Sequence, residues 1–595
     1  MDSGSPSVER FHSLELHKLL ASALSRPRLL WAGCGLWTLL ACGLVQAQQA
    51  TPPGYDPKQT EKRFEDQAQT PAGRPRLPTP QFGRAETHGD AKPLFVLRHI
   101  SITGAAALPP ARLAESYKAF VGKKVSQADL AAITAAVGDI YGEAGFHLTR
   151  AVIPPQDIQN GRIELRVIEG SITEVSLKGE GAERFGARPL LEAVLTERPS
   201  RFSTLERQLL LINSLPGVRI EDTALEEIGT GSGHFRLIVS LKTWNIFTSV
   251  GVDNLGSSSV GPWQSYGTAA FNSYFAPGDS LVVNLSSTPG DPRQLAFGRL
   301  SYEAPVGTDG ARIGASGFYS EVRPGDFRRL FNDTIKTDWF EVRGSLAPVQ
   351  SQKSSLTLTA AAGFSNVYEN DVFGPIYADH IRTVSLTSDY RLQDSFGGTN
   401  YLTVNYRQGL DIFGASQSND FYTSHDGASP NFSVLNFWFT RYQTLSDAWS
   451  VKLATAGQTA SGPLFTSQQF YLGGLAFGRG YGSAEISGDN GIAGTAELRF
   501  DQKTSYQYLN GYQLYGFIDA GLAWNDGYRP SDGLSLTSAG AGIRLFLTEG
   551  LQADIGVAAP LSYRALDNPG RGPVVLFSLS SALKLCPSRP QTRCL

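Results

Sequence analysis

Two hydrophobic periods divide the chain. Between Phe95 and about Thr243, apolar residues follow strand and helix spacings in turn, and from Phe247 onward only alternation remains. Phe95-Val-Leu-Arg-His-Ile-Ser-Ile alternates and ends at Gly104, which predicts a strand and a turn. Ser126 and Asp129 have capping-box spacing. Leu130, Ile133, Val137, Ile140 and Tyr141 then share one helical face, with Gly145 as the stop. Strands are expected over Phe146 to Ile153 and Ile163 to Ile168, separated by Pro154-Pro155-Gln156-Asp157 and the turn Asn160-Gly161. The order recurs from Ser171. A strand at Val175-Ser-Leu-Lys leads to a helix over Leu190 to Leu195, then to a second helix capped by Ser203 with Glu206 and carrying Leu205, Leu209 and Ile212. Pro216-Gly217 ends that helix, and strands follow from Val218 and over Phe235 to Leu241. This is an internal repeat of β-α-α-β-β units. Each is a small sheet with helices on one face and an open edge that can accept a partner's strand.

Beyond Phe247 about sixteen strand-like segments begin near Phe247, Trp263, Ser280, Gln294, Ala311, Thr337, Ser355, His380, Tyr401, Asn431, Trp449, Ile492, Tyr512, Thr537, Leu551 and Val574, an even number that suits a bacterial barrel. Parity separates two faces. Leu514, Ile518, Leu522 and Trp524 oppose Gln513, Tyr515, Phe517, Asp519 and Gly521; Leu402, Val404 and Tyr406 oppose Thr403, Asn405 and Arg407; Ile492, Leu498 and Phe500 oppose Thr495, Glu497 and Arg499. Soluble two-sheet proteins alternate as well. The number of strands and an export signal move the reading to a transmembrane β-barrel with a polar lumen.

That signal lies at the N-terminus. Arg26 and Arg28 precede the apolar run Leu29 to Val45, and Val45-Gln46-Ala47 fits a small-x-small cleavage site better than Leu39-Leu40-Ala41-Cys42 fits a lipidation box. The 595 residues carry a net charge of −3 with 18% charged residues, so no global basic field points to nucleic acid. No long apolar run follows the first fifty residues, which excludes a helical membrane bundle. From Gln48 to Lys92 the chain is rich in Pro, Gly and charge. Asp56-Pro57 opens a polar helix to about Gln69 that has no stripe to bury, either a solvated linker or a plug in a wet cavity. Cys586 and Cys594 close the chain and suit a small terminal disulfide or free thiols. The histidines have no metal-ligand spacing, so no metal is expected. Phosphate-loop, nucleophile-elbow and HExxH patterns are missing, so neither a cofactor nor an enzyme activity is expected. Gly229-Thr-Gly-Ser-Gly lacks the lysine of a phosphate cradle and reads as a hairpin turn.

The stretch Phe470 to Gly491 interrupts the alternation with a glycine-dense loop centred on Gly478-Arg479-Gly480-Tyr481. From its residues alone, Arg479 is either a solvated surface arginine or one end of a pair with an inward carboxylate. Asp519 has the right parity for the second reading, and glycines at 478 and 480 permit close approach.

Taken together these residues resemble the outer-membrane transporters of two-partner secretion, the haemolysin-secretion and filamentous-haemagglutinin transporter type. The first repeat resembles that family's POTRA domain through Ile102 to Gly104, Tyr141-Gly-Glu-Ala-Gly145-Phe146, Val152-Ile-Pro154-Pro-Gln156 and Val167-Ile-Glu169-Gly170. The loop motif is Phe470-Tyr-Leu-Gly473-Gly474 with Gly478 to Tyr481 and Ser487-Gly488-Asp489-Asn-Gly491, and the partner strand motif is Gly516-Phe517-Ile-Asp519. The resemblance implies a signal peptide (1–47), a plug helix and linker (48–93), two POTRA domains (94–170 and 171–244), a sixteen-stranded barrel (245–585) and a tail (586–595). It also implies a large secreted partner captured in extended form, a lipid surrounding, and insertion by the barrel-assembly machinery. The second POTRA-like unit argues against a barrel-assembly factor with more such units. A porin would leave both repeats unexplained. Two departures stand out: the last strand ends on Leu585 rather than a terminal aromatic, and Gly478 replaces an apolar β-branched residue, which predicts looser local packing.

Overall fold

The computed structural model describes residues 90–257, 259–548, 550–562 and 572–585. The predicted export signal, the polar helix over Asp56 to Gln69, and Cys586 and Cys594 lie outside them.

The first α/β unit contains β1 Pro93–Val96, β2 His99–Thr103, α1 Pro110–Leu113, β3 Lys124–Ser126, α2 Gln127–Glu143, β4 Arg150–Val152 and β5 Arg162–Ile168. The strand predicted from Phe95 is two strands in two sheets. Leu97 exchanges hydrogen bonds with the Gly122 and Lys123 side, whereas Arg98 and His99 donate to Gly161, so the chain changes partner between them. β1 pairs with β3, and β2 pairs in parallel with β5. Helix α2 has the expected capping box between Ser126 and Asp129. The strand expected from Phe146 starts only at Arg150, because Phe146 and Thr149 close turns onto Tyr141 and Phe146 first.

The second unit follows as β6 Ser171–Lys178, α3 Ala187–Leu190, α4 Glu192–Thr196, α5 Phe202–Asn213, β7 Val218–Glu227 and β8 His234–Thr243, in sheet order β6-β8-β7. The cap of α5 differs from the expectation. The helix starts at Phe202 with no side-chain cap on Arg201, and the Glu197 carboxylate accepts the Arg201 N–H at 2.9 Å and the Thr204 hydroxyl at 3.1 Å. Glu206 is thereby released to another task. It accepts the N–H of Gln352, in a turn of the barrel on the side of the α/β units, at 2.9 Å, while Arg207 donates to the carbonyls of Asp309 at 2.9 Å and Pro348 at 3.3 Å. The turn with Gly229, Gly231 and Gly233 joins β7 to β8, as expected.

Sixteen strands close into an antiparallel barrel. In chain order the first eleven are β9 Ile246–Asp253, β10 Gln264–Asn272, β11 Ser280–Ser287, β12 Leu295–Val306, β13 Ala311–Val322, β14 Thr334–Gln350, β15 Ser354–Asp371, β16 Gly374–Gln393, β17 Gly398–Gly409, β18 Ser433–Thr444 and β19 Trp449–Ala460. A short pair, β20 Phe470–Leu472 and β21 Ile486–Gly488, comes next and stays outside the wall. The wall resumes with β22 Asn490–Tyr506, β23 Leu509–Trp524, β24 Leu534–Thr548, β25 Leu551–Pro560 and β26 Val574–Leu585, which pairs back on β9. β16 begins at Gly374, well before the expected His380.

The barrel is inside out relative to a soluble protein. Val250, Leu285, Leu300, Ile313, Leu386 and Ile492 are exposed outward, while Asn284, Ser316, Thr495, Glu497, Asp519 and Ser538 are buried on the opposite parity. Such an apolar outer band around a polar interior is stable only in a lipid surrounding. Phe271, Tyr274, Phe275 and Tyr302 form a chain of edge-on rings at the end nearest the two α/β units, as an interfacial aromatic girdle does.

Candidate functional site: an arginine held inside the barrel

The segment between β19 and β22 folds back into the lumen. β20 and β21 pair antiparallel, and Leu472, Phe477, Tyr481 and Ile486 pack on the inward Ala493, Ala523 and Leu536 of β22, β23 and β24. The loop has no core of its own and borrows one from the wall. Phe477 sits 4.8 Å from the ring of Trp438 on β18, and the Tyr481 hydroxyl donates to the Thr537 carbonyl at 2.9 Å.

Polar contacts fix its tip. Arg479 donates to Asp519 through Nε to Oδ2 at 3.1 Å and through Nη2 to Oδ1 at 2.8 Å, a bidentate fork. The backbone N–H groups of Gly478 and Arg479 donate to the same Oδ2 at 3.2 and 3.0 Å. Nη1 reaches Glu497 Oε2 at 2.5 Å, Nη2 reaches the Thr495 hydroxyl at 3.0 Å, and the guanidinium carbon lies 3.4 Å over the Phe517 ring. Asp519 is 0% exposed, Glu497 2% and Arg479 8%, so the pairing replaces water almost completely. Taking one partner from such a buried pair typically costs about 3–5 kcal/mol, because the other charge is stranded.

The network extends along the wall. Glu497 also accepts from Arg499 Nε at 2.7 Å and Arg544 Nη1 at 2.9 Å, and Arg544 Nε donates to Asp554 at 2.9 Å. Asp554 accepts the Tyr515 hydroxyl at 2.7 Å. Parity had put Glu497 and Arg499 on the inward face without joining them to the loop. Arg544 and Asp554 were missed altogether; the signal for them was the single charged residue in each of β24 and β25, on the inward parity.

Backbone shape explains the glycines. Gly478 has φ of +97°, and a Cβ there would stand 2.7 Å from Leu536 Cδ1. The expectation of looser packing is therefore wrong: this glycine permits a tight turn that a β-branched residue would strain. Gly480 lies flat on the wall, where a Cβ would meet Ala559 and Pro560 backbone at 2.8 Å and Ser538 Cβ at 2.9 Å. Gly473 donates to Phe477 and Gly474 to Tyr481, which closes the turn at the base of the tip. Gly516 stands on the outward face of β23 with space for a methyl and does not meet the loop.

Asp489 anchors the other end. It is 0% exposed and accepts from the Leu464 N–H at 3.0 Å, Gln469 Nε2 at 3.2 Å and the Asp526 N–H at 2.9 Å, tying both loop ends to the β23–β24 connection. Gly488 packs directly on the Trp524 backbone.

The motif residues of the first α/β unit serve its interior. Glu169 accepts from the Tyr141 hydroxyl at 2.7 Å and from the N–H groups of Ala106 and Ala107 at 2.8 Å each. Burial, then that carboxylate, pushes the Tyr141 hydroxyl well above its ordinary range. Gln156 clasps the Glu164 backbone in both directions, at 2.8 and 2.7 Å, and its amide also touches the Pro154 carbonyl. Phe146 packs edge-on against Tyr141; Gly104 and Gly170 lie against the Val167 and Leu148 carbonyls; Gly145 ends α2 at φ of +89° and accepts the N–H of Phe202 from the second unit.

Comparison with known proteins agrees with this architecture. The sequence model of the haemolysin secretion/activation proteins ShlB/FhaC/HecB matches residues 238–545, a little over half of the chain, and that of the ShlB-type POTRA domain matches 95–170. The chain is 24% identical over 472 residues to the heme/hemopexin transporter protein HuxB of Haemophilus influenzae, covering 76% of this chain and 80% of that one. It is 24% identical over 415 residues to the hemolysin transporter protein ShlB of Serratia marcescens, covering 66% and 70%. The solved structure of CdiB from Escherichia coli shares the fold with a TM-score of 0.70 at 20% identity, over 88% of this chain and 97% of that one. With its closed barrel, POTRA region and lumenal loop, the chain belongs to the ShlB/FhaC/HecB haemolysin secretion/activation family and is an outer-membrane transporter of two-partner secretion.

Proposed function

We propose that this transporter captures one large exported protein, of adhesin or haemolysin type, in extended form in the periplasm and passes it through its own barrel to the cell surface. The observation that carries the reading is the buried Arg479–Asp519–Glu497 network, which pins a fold-back loop inside a closed wall. A loop so held narrows the lumen and is the part that must yield or guide when a chain passes. The two modules, 94–170 and 171–244, act as the docking region. Their sheets end in the open edges β2 and β6, whose backbone groups accept an extended segment by strand addition. The second module is seated on the periplasmic turns through Glu206 and Arg207, so a captured segment is delivered to the pore mouth.

No nucleotide site enters this scheme. Export is driven by folding of the cargo outside, which makes backward sliding unfavourable. The lipid-facing band and the barrel-assembly machinery serve the transporter's own residence in the outer membrane. The test is deletion of residues 95–170 with the barrel intact. Cross-linking of the cargo's N-terminal region to the transporter should then be lost; undiminished cross-linking refutes the docking role.

A further inference from the structure

Arg382 of β16 points out of the barrel, since its neighbour Ile381 packs inside with Val434 and Phe465. On the same outer face stand the lipid-exposed Val384 and Leu386, and directly across the ladder is Phe364 of β15. One step further from the α/β units the face turns polar, with His380 opposite Asn366 and then Tyr368. Arg382 therefore marks the outer border of the apolar band. Pairing with β17 stops at the same level, where Thr383 faces Gly409, and the chain beyond turns back over the outside of the wall. The Leu410 N–H donates to the Arg382 carbonyl at 2.8 Å, and the Phe413 carbonyl accepts from Arg382 Nε at 3.4 Å. The Phe413 ring lies 5.9 Å from that of Phe364, yet it is 75% exposed, and its backbone holds φ of +51°, which bulky residues avoid. Ile412 beside it is exposed as well.

Among the described residues no carboxylate answers this guanidinium. Nη1 donates to the Ser365 and Ile381 carbonyls at 3.2 and 3.0 Å and to Asn366 Oδ1 at 2.9 Å, all neutral acceptors, and the guanidinium carbon stands 5.4 Å from the centre of the Phe364 ring. His380 spends its two ring nitrogens on the Gly414 carbonyl and the Tyr368 hydroxyl. Asp411, on the returning loop, accepts from Gln417 Nε2 at 2.7 Å. Asp338 shares the row of Asn366 and His380 but lies two strands from His380, roughly 10 Å at the spacing of a sheet.

We propose that Arg382, Ile412 and Phe413 form a binding site for a phosphate-bearing lipid of the outer leaflet. Phe413 and Ile412 enter the acyl region at the border of the band, where aromatic side chains of membrane proteins gather. The guanidinium, fixed through Nη1, keeps Nη2 for a phosphate oxygen, and a planar cation on a phosphate is among the strongest of polar contacts. The headgroup supplies the negative charge that the site lacks, and the site is continuous with the lipid-facing surface. In water so exposed a ring, at a disfavoured backbone angle, would gain nothing; in lipid it is covered. The connection that carries Phe413 also grips the base of the fold-back segment. Ser424 Oγ accepts the Thr466 N–H at 2.9 Å, and His425 Nδ1 lies 2.9 Å from the Leu464 carbonyl. A lipid bound at Arg382 thus clips to the wall the same stretch of chain that steadies the lumenal loop.

The test titrates full-length transporter in neutral detergent with bis-phosphorylated lipid A, with the same lipid stripped of its phosphates, and with inorganic phosphate, read by native mass spectrometry. Wild type should bind the phosphorylated lipid saturably. Removing the phosphates, or Arg382→Gln, should each weaken binding by about tenfold or more, the scale of one hydrogen bond to a charged group. Phe413→Ser should weaken it as well, and Arg323→Gln, at a cation paired with Glu321, should not. The wild-type melting temperature should rise with the phosphorylated lipid alone, a readout that requires no variant to fold. Equal binding of the two lipids, displacement by inorganic phosphate at matched concentration, or wild-type affinity in Arg382→Gln overturns the proposal. A photoreactive side chain at position 413 should cross-link to lipid in intact cells; cross-linking to exported protein instead also overturns it.

Discussion

Asp519 accepts three hydrogen bonds from Arg479, two from the guanidinium and one from the backbone N–H. One carboxylate thus fixes both the side chain and the main chain of the loop tip, and with them the direction in which the loop leaves the wall. A lysine could satisfy the charge but not the fork. Glu497 contributes a second carboxylate on the far side of the guanidinium, so the arginine is clamped between β22 and β23.

Gly480→Ala tests how closely the loop must lie on the wall. The added methyl meets three wall atoms at 2.8–2.9 Å, an overlap that costs about 1–3 kcal/mol in a packed site. The tip should lift, and a cysteine placed at Ser483 should become more reactive to a membrane-impermeant maleimide than in the unsubstituted protein.

The barrel seam has its own clasp. Beyond the last β9–β26 backbone pair, the Asn254 side chain takes the place of a peptide: Nδ2 donates to the Val575 carbonyl at 2.8 Å and Oδ1 accepts the Phe577 N–H at 2.8 Å. Asn254→Ala should leave both groups unpaired at a cost of about 1–3 kcal/mol. The Phe577 amide should then exchange hydrogen faster while amides in the middle of β23 do not change.

Seating of the second periplasmic unit rests on few polar contacts. Glu206→Ala with Arg207→Ala removes the bonds to Gln352, Asp309 and Pro348, each partly exposed and together worth about 1–3 kcal/mol. The turns around Asp309 and Gln352 should gain protease sensitivity, and the barrel should keep its melting temperature.

His147 gives the junction of the two periplasmic units a pH dependence. Burial holds its imidazole at about 4, below the ordinary histidine range, and its ring packs edge-on against Phe202 at 5.2 Å. The folded state resists a proton that the unfolded state takes up, so stability is lost as pH falls from about 6.5 toward 4, by on the order of 2 kcal/mol. Protection of α5 amides, corrected for intrinsic exchange, should fall across that window in wild type and stay level in His147→Phe.

The strands were legible because a lipid-facing band forces strict alternation, so Tyr515, Phe517 and Asp519 read inward together. Where that force ends, the reading slips. The start of β16 projects past its pairing with β17, with Gly374 and Pro375 at its head, and there alternation carries no lipid signal. Ser203 and Glu206 have capping-box spacing, yet Glu197, several residues upstream, takes the cap role and Glu206 serves the barrel; local spacing does not encode that competition. The arginine was legible as costly and Asp519 as a partner. Glu497 was legible only as inward, because the register between strands, which brings Thr495 opposite Asp519, is a property of the pairing and not of either strand.

The most direct measurement is a double-mutant cycle on cargo export, with transporter levels matched: Arg479→Ala, Asp519→Ala and both together. If the pair acts as one latch, each single substitution lowers surface release by about tenfold or more and the double is no worse than the poorer single. Wild-type release from either single substitution, or losses that multiply in the double, would contradict it.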